Sequence, residues 1–257
     1  MYYVHILGTA QRFSIGKIVC LGRNYSEHIK ELGNEVPVQP VIFIKPATSV
    51  IPDGGTIIIP NYSDDCHHEI ELAILIGKTG KNIARKEAMN HVAGYGVSID
   101  LTLRDVQSKH KEKGLPWEIA KGFDTACPLS DFVPTDKIED PHNLQLKLSI
   151  NGEIKQDGNS SFMMRQIPQI VEEMSAIFTL EEGDVILTGT PAGVGRIQSG
   201  DVIVAEIEQV GRLEVQVNKL LCHEDTKTRR EPLRFKSKSI VLSLPQKIYV
   251  LLSAFVP

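Results

Sequence analysis

The sequence predicts an α+β fold dominated by sheet, with a few helices at its periphery. Three observations lead there. Runs of strand composition are many and short, stretches with helical spacing are few, and the two do not alternate as the βαβ units of a parallel sheet would.

In chain order, KIVCLGRNY (17–25) reads as a short strand entering a turn. In YSEHIKELG, Tyr25, Ile29 and Leu32 fall at helical spacing and Gly33 stands where a helix stops. VIFIKP is a strand ended by Pro46, and TIIIP (56–60) is another. EIELAILIG (69–77) has the composition of a buried strand, IARKEAMNHV (83–92) of a helix, and AGYGVSID (93–100) of a strand again. TLRDVQSKHKEKG is helical, with Thr102 a candidate cap and Gly114 a stop. LQLKLSINGEIKQ (144–156) is a hairpin, because alternating residues flank Asn151-Gly152, the pair that a type I′ turn demands. IPQIVEEMSAIF (167–178) is an amphipathic helix with Pro168 in its first turn. DVILTGT, DVIVAEIEQ and RLEVQVNK complete a strand-rich second half that closes near Asn218.

Composition narrows the function classes. The chain has 257 residues, 42% hydrophobic and 23% charged, as an ordinary globular protein does. No apolar run reaches the roughly 18 residues of a membrane span, and MYYVHILGTAQRF is not built as a secretory signal. The four cysteines, Cys20, Cys66, Cys127 and Cys222, form no CxxC pair, so neither a zinc knuckle nor a disulfide framework is expected. That usage fits a reducing compartment, and the expectation is cytoplasmic. The net charge of −4 gives no reason to expect nucleic acid as a partner. Residues 219–257 carry eight Lys/Arg against three Asp/Glu, a net of +5, which leaves −9 for residues 1–218. The tail is therefore expected to be an appendage, basic and then apolar, to a catalytic domain spanning 1–218.

The stretch CHHEIELAILIG (66–77) raises a chemical question, because Glu69 and Glu71 stand two residues apart in a very apolar strand. Residues i and i+2 of a strand share a face about 6.6 Å apart. Such a pair is most often solvated. Here the face turns apolar immediately afterwards, at Ala73 and Leu75. Two carboxylates so placed repel each other and raise each other's pKa. A hard divalent cation reverses that cost. Asp100, where GYGVSID finishes, is positioned to supply a third carboxylate.

GRNYSEHIKELG, PVIFIKP, HHEIELAILIG, GYGVSIDLTLRDVQ, AKGFDT, ILTGTPAGVG and GDVIVAEIE, in that order from about Lys17 to Asn218, resemble the fumarylacetoacetate hydrolase superfamily. The likeness is to its small branch of acylpyruvase and oxaloacetate decarboxylase type. The resemblance implies a mixed β-roll and a homodimer. It also implies that Glu69, Glu71 and Asp100 ligate Mg²⁺ or Mn²⁺, and that Lys121 is an active-site lysine. Arg104, Gln107 and Thr190 are expected to contact substrate, and His28 with Glu31 to form a lid dyad that activates water. His67 and His68 precede the glutamates and are expected to be structural rather than ligands. The implied reaction is metal-dependent C–C cleavage in a small 2-oxo acid, either acylpyruvate hydrolysis or oxaloacetate decarboxylation. The same motifs admit an isomerase or decarboxylase of hydroxylated dienedioates, or a tautomerase of oxaloacetate. A catalytically silent metal-binding protein is the alternative of another class.

Overall fold

The computed structural model describes residues 2–33 and 35–220 of the chain. Its larger sheet has six strands in the order Val133–Pro134, Val92–Ile99, Ile70–Ile76, Val185–Leu187, Ile18–Gly22 and Val41–Lys45. Val185–Leu187 lies parallel to Ile18–Gly22, and the other neighbours are antiparallel. A second sheet orders Glu153–Asn159, Gln145–Ile150, Val202–Ile207, Gly211–Lys219 and Thr56–Ile59, with its one parallel pair at the far edge. The sheet-rich α+β expectation holds, with mixed sheets.

The two sheets share a core. Ile70, Leu72, Ile74 and Ile76 bury one face of the central strand in the same cluster as Leu146, Leu148, Ile203, Leu213 and Val215 of the second sheet. Its other face is buried as well, because Ala73 and Leu75 join Ile18, Phe43, Phe132 and Val185 in a second cluster. A strand covered on both sides has no reason to alternate apolar with polar residues, which is why EIELAILIG reads as nearly continuous hydrophobe. Each of these large side chains contributes about 1.5–3 kcal/mol by leaving water.

Local signals set several boundaries. Asn151 and Gly152 both take positive φ, 52° and 84°, as a type I′ turn requires. The helix Ser26–Glu31 ends just before Gly33, whose φ is 61°. The helix Ile167–Ile177 carries Pro168 in its first turn.

The helix expected within 83–92 is present as a 3₁₀ helix, Arg85–His91. The amide of Arg85, at its start, donates to the Glu172 carboxylate on the Ile167–Ile177 helix. Two other expectations are corrected. Thr102 caps nothing, for it lies in a two-residue strand opposite His67, and the helix Arg104–Glu112 begins after Leu103. Glu69 lies between strands, the first ending at His68 and the next starting at Ile70.

No helix among the described residues is long and apolar enough to cross a membrane. Cys20, Cys66 and Cys127 are free and buried. Cys222 and the remainder of the tail from residue 221 lie outside the described residues. Gly211–Lys219 pairs with Thr56–Ile59 in the second sheet, and among the described residues the last strand of either sheet ends at Lys219. A chain ended after Leu220 should keep its unfolding midpoint within about 4 °C, roughly what 1 kcal/mol shifts a chain of this size. Thermal unfolding followed by circular dichroism tests this. An insoluble product, or a much larger drop, would place the tail within the domain.

Candidate active site

The site begins with a strand register. Ile70 lies opposite Ile99 and Glu71 opposite Ser98, which brings Asp100 across from Glu69; the Asp100 amide donates to the Glu69 carbonyl at 2.8 Å. One antiparallel pairing thus gathers Glu69, Glu71 and Asp100 at its end. All three are buried, and one oxygen of each lies within 4.8 Å of the others.

Cations face this group from three directions. Lys121, at the end of the short helix Glu118–Lys121, donates to Glu69 Oε2 at 3.0 Å and Asp100 Oδ2 at 2.6 Å, and its ammonium sits 4.7 Å from the Phe43 ring centroid. Arg104, the first residue of its helix, bonds Glu69 Oε1 through Nη2 at 2.5 Å and Gln107 Oε1 through Nη1 at 2.9 Å. Its Nε is buried with no hydrogen-bond partner among the described residues. Thr102, displaced from its expected cap, donates instead to Glu69 Oε1 at 2.9 Å. Lys45 is the third cation and was not anticipated. It is 0% exposed, lies 2.7 Å from Asp100 Oδ1, and donates to the carbonyls of Leu101, Ala126 and Lys121. Its one sequence signal is a lysine closing the apolar run VIFIKP.

The carboxyls respond in opposite directions. Burial works to raise Glu69, but Lys121, Arg104 and His28 outweigh it and hold Glu69 well below the usual carboxylate range. Burial, then Asp100 and Glu69, push Glu71 well above that range. Among the described residues, Glu71 has only the Gly189 amide, at 2.6 Å, as a hydrogen-bond donor. Among the described residues Glu71 has no cation paired to it, and a divalent cation is the partner that would fill that place. Three carboxylates and no thiolate suit Mg²⁺ or Mn²⁺ rather than zinc. Burial pushes the thiols of Cys66 and Cys127 up to about 12 and about 11, and among the described residues no cysteine joins the acidic group. His67 pairs with Asp65 at 3.0 Å and His68 with Gln156 at 3.0 Å, and neither joins the acidic group.

A loop and a helix close the site. His28 Nδ1 lies 3.2 Å from Glu31 Oε2, and Glu31 Oε1 accepts from the Gly193 amide at 3.0 Å. Thr190, from the same loop, is 2% exposed and lines the cavity. The cavity of about 280 Å³ is bounded by the triad, His28, Arg104, Gln107, Lys121 and Thr190. All the expected site residues are therefore brought together, with Glu31 just behind His28. Arg23 and Lys111 add positive charge to the cavity wall, and both were missed. Burial, Arg23 and Arg104 together lower the Lys111 ammonium. Gln156, also missed, is fully buried and reaches the loop from the second sheet.

The family model of the fumarylacetoacetate (FAA) hydrolase C-terminal domain matches residues 17–218. Mitochondrial oxaloacetate tautomerase FAHD1 of Mus musculus is 50% identical over 202 residues, 79% of this chain and 91% of that protein. Mitochondrial oxaloacetate decarboxylase of Dictyostelium discoideum is 52% identical over 188 residues, 73% of this chain and 86% of that protein. The crystal structure of fumarylpyruvate hydrolase from Pseudomonas aeruginosa, in complex with Mn²⁺ and pyruvate, superposes with a TM-score of 0.81 at 34% identity, covering 85% of this chain and 96% of that one.

Mn²⁺ at about a hundredfold excess over its Kd should stabilise the protein by about 2.7 kcal/mol, roughly 5–10 °C in melting temperature. Glu71→Gln should abolish most of that shift. Without metal it should melt no lower than the parent, because it removes a buried like charge. Differential scanning fluorimetry reads both, and an undiminished Mn²⁺ shift in the variant would remove Glu71 from the ligand set.

Proposed function

This chain belongs to the fumarylacetoacetate hydrolase family, and on that premise we propose a divalent-metal-dependent enzyme that cleaves a C–C bond in small 2-oxo acids through the enolate of pyruvate. It would hydrolyse acylpyruvates, decarboxylate oxaloacetate, or both. The observation that carries this reading is the buried Glu69, Glu71 and Asp100 group with Lys121 bridging two of its members.

Mg²⁺ or Mn²⁺ held by the three carboxylates would supply a Lewis acid for the 2-oxo group and for the negative charge that develops on it. The protein's own groups do the rest. The acidic triad faces Lys45, Lys121 and Arg104, three charges against three. A divalent ion there would make the site net positive, so an anionic substrate is favoured. Arg104 and Gln107, both on the cavity wall, orient a carboxylate. Lys121 and the Thr190 hydroxyl stabilise the growing enolate. Glu31, held by the Gly193 amide, keeps the proton of His28 on Nδ1, which leaves Nε2 as a base. For an acylpyruvate that base activates water against the distal carbonyl. For oxaloacetate, carbon dioxide leaves and no water attacks.

Oxaloacetate tautomerisation is a second reading, favoured by the name of the mouse relative at 50% identity. It breaks no C–C bond and passes through the enolate of oxaloacetate itself, with His28 moving the proton at C3. We also assign, as proposals, a homodimer, to be sized by analytical ultracentrifugation, and a reducing compartment, which the three buried free thiols suit. Cytoplasm is the first choice, and the two mitochondrial relatives make that organelle the second to test.

Turnover should appear with Mn²⁺ in a panel of oxaloacetate and acylpyruvates coupled to lactate dehydrogenase, together with the ultraviolet decay of enol-oxaloacetate. No rate above a metal-only control on any substrate would leave a silent metal-binding protein. His28→Ala separates the reactions. It should slow acylpyruvate hydrolysis by about 10²–10⁴-fold, the worth of a positioned base, and spare decarboxylation. Equal losses in kcat would reduce His28 to closing the lid.

A further inference from the structure

Gln156 lies on the strand Glu153–Asn159 of the second sheet, 1% exposed, and its side-chain amide reaches toward the site at both ends. Its Oε1 accepts from the Ile70 amide and from His68 Nδ1, both at 3.0 Å. Its Nε2 donates to Thr190 Oγ1 at 2.8 Å and to the Pro191 carbonyl at 2.9 Å. Two of these partners admit only one amide orientation. The Ile70 amide can only donate, so Oε1 must face it, and the Pro191 carbonyl can only accept, so Nε2 must face that. Nε2 therefore donates to Thr190. A threonine hydroxyl has one proton and two lone pairs. With a lone pair taken by Gln156, its proton remains to be given away, and Thr190 lines the cavity.

We propose that Gln156 is a positioning residue that forces the Thr190 hydroxyl to act as a donor into the cavity, toward an oxyanion of the substrate. This rests on the reading of Thr190 as a substrate contact. The same amide also ties the chain just before Glu71, at Ile70, to the loop that supplies Thr190. Ligand strand and donor loop are thereby held in one geometry by a residue that touches neither metal nor substrate.

The test is a double-mutant cycle on the Mn²⁺-loaded full chain. Gln156→Glu keeps the shape and the acceptor end but replaces the donor end with an acceptor, which would take the Thr190 proton. Gln156→Met, which neither donates nor accepts strongly, covers the case in which the introduced carboxyl binds a proton. The readouts are the Kd of oxalate, a planar dianion resembling the enolate, and kcat on oxaloacetate, with Mn²⁺ affinity and melting temperature measured alongside. Removing one preorganised donor by Thr190→Val should lower kcat by on the order of 10²-fold. Either Gln156 variant should weaken oxalate binding by about tenfold with Thr190 present. In the Thr190→Val background it should change binding by less than about twofold, because the two act through one hydroxyl. Mn²⁺ affinity should move by less than about twofold throughout. Equal losses with and without Thr190 would overturn the proposal and make Gln156 a purely structural staple, as would no loss in either background. Unchanged oxalate affinity and turnover in Thr190→Val alone would instead refute Thr190 as a substrate contact, and the proposal with it.

Discussion

The antiparallel register of Ile70–Ile76 on Val92–Ile99 is the constraint from which the rest of the site follows. It sets Asp100 across from Glu69 and leaves Glu71 beside them, at the point where the chain passes from a two-sided core to the cavity wall. The register is itself held by hydrophobic burial. A slip of one residue would turn Ile70, Leu72, Ile74 and Ile76 out of the inter-sheet core and put Glu71 into it. The same apolar packing that stabilises the domain therefore determines where its charges meet.

Burying three carboxylates is costly, and the structure answers with cations rather than with solvent. Lys45 and Lys121 reach Asp100 from two sides, and Arg104 and Lys121 reach Glu69 in the same way. Removing one partner of such a buried pair commonly costs about 3–5 kcal/mol, because the other charge is left uncompensated. Lys45 gives its three donors to the carbonyls of Leu101, Lys121 and Ala126 and pairs its charge with Asp100, so it ties the backbone around the triad as well as one of its members. Among the described residues, Glu71 is the member of the triad with no cation paired to it. That asymmetry is what makes the group suited to a metal rather than to a closed ion-pair network.

The segment from Thr188 to Gly193 links the acidic group to the helix that carries His28 and Glu31. The Thr188 hydroxyl donates to the Leu72 carbonyl at 2.9 Å, the Gly189 amide to Glu71, Thr190 meets Gln156, and the Gly193 amide reaches Glu31. Gly189 and Gly193 take φ of 94° and 97°, and an added Cβ would meet Asn24 at 2.8 Å or the Lys155 carbonyl at 2.2 Å, so only glycine follows this path. Glu71, Thr190 and Glu31, proposed as metal ligand, substrate donor and part of the water-activating dyad, are thus tied to neighbouring residues of one loop.

Strand periodicity, the Asn151-Gly152 turn and the Pro168 and Gly33 signals are local, and the sequence alone determined most of the fold through them. The E-x-E pair with Asp100 was legible for a similar reason: carboxylates in an apolar strand conflict with their surroundings, and that conflict shows without coordinates. Thr102, Lys45 and Gln156 were not legible. Thr102 looked like a cap because its local context is that of a helix start, and pairing with His67 decided otherwise. Lys45 and Gln156 act across 55 and 34 residues of chain, on Asp100 and Thr190. A lysine after an apolar run or a glutamine in a hairpin strand is ordinary until the partner strand is in place. Local sequence can state that a charge is misplaced, but only the packing of two sheets against each other decides which distant side chain compensates it.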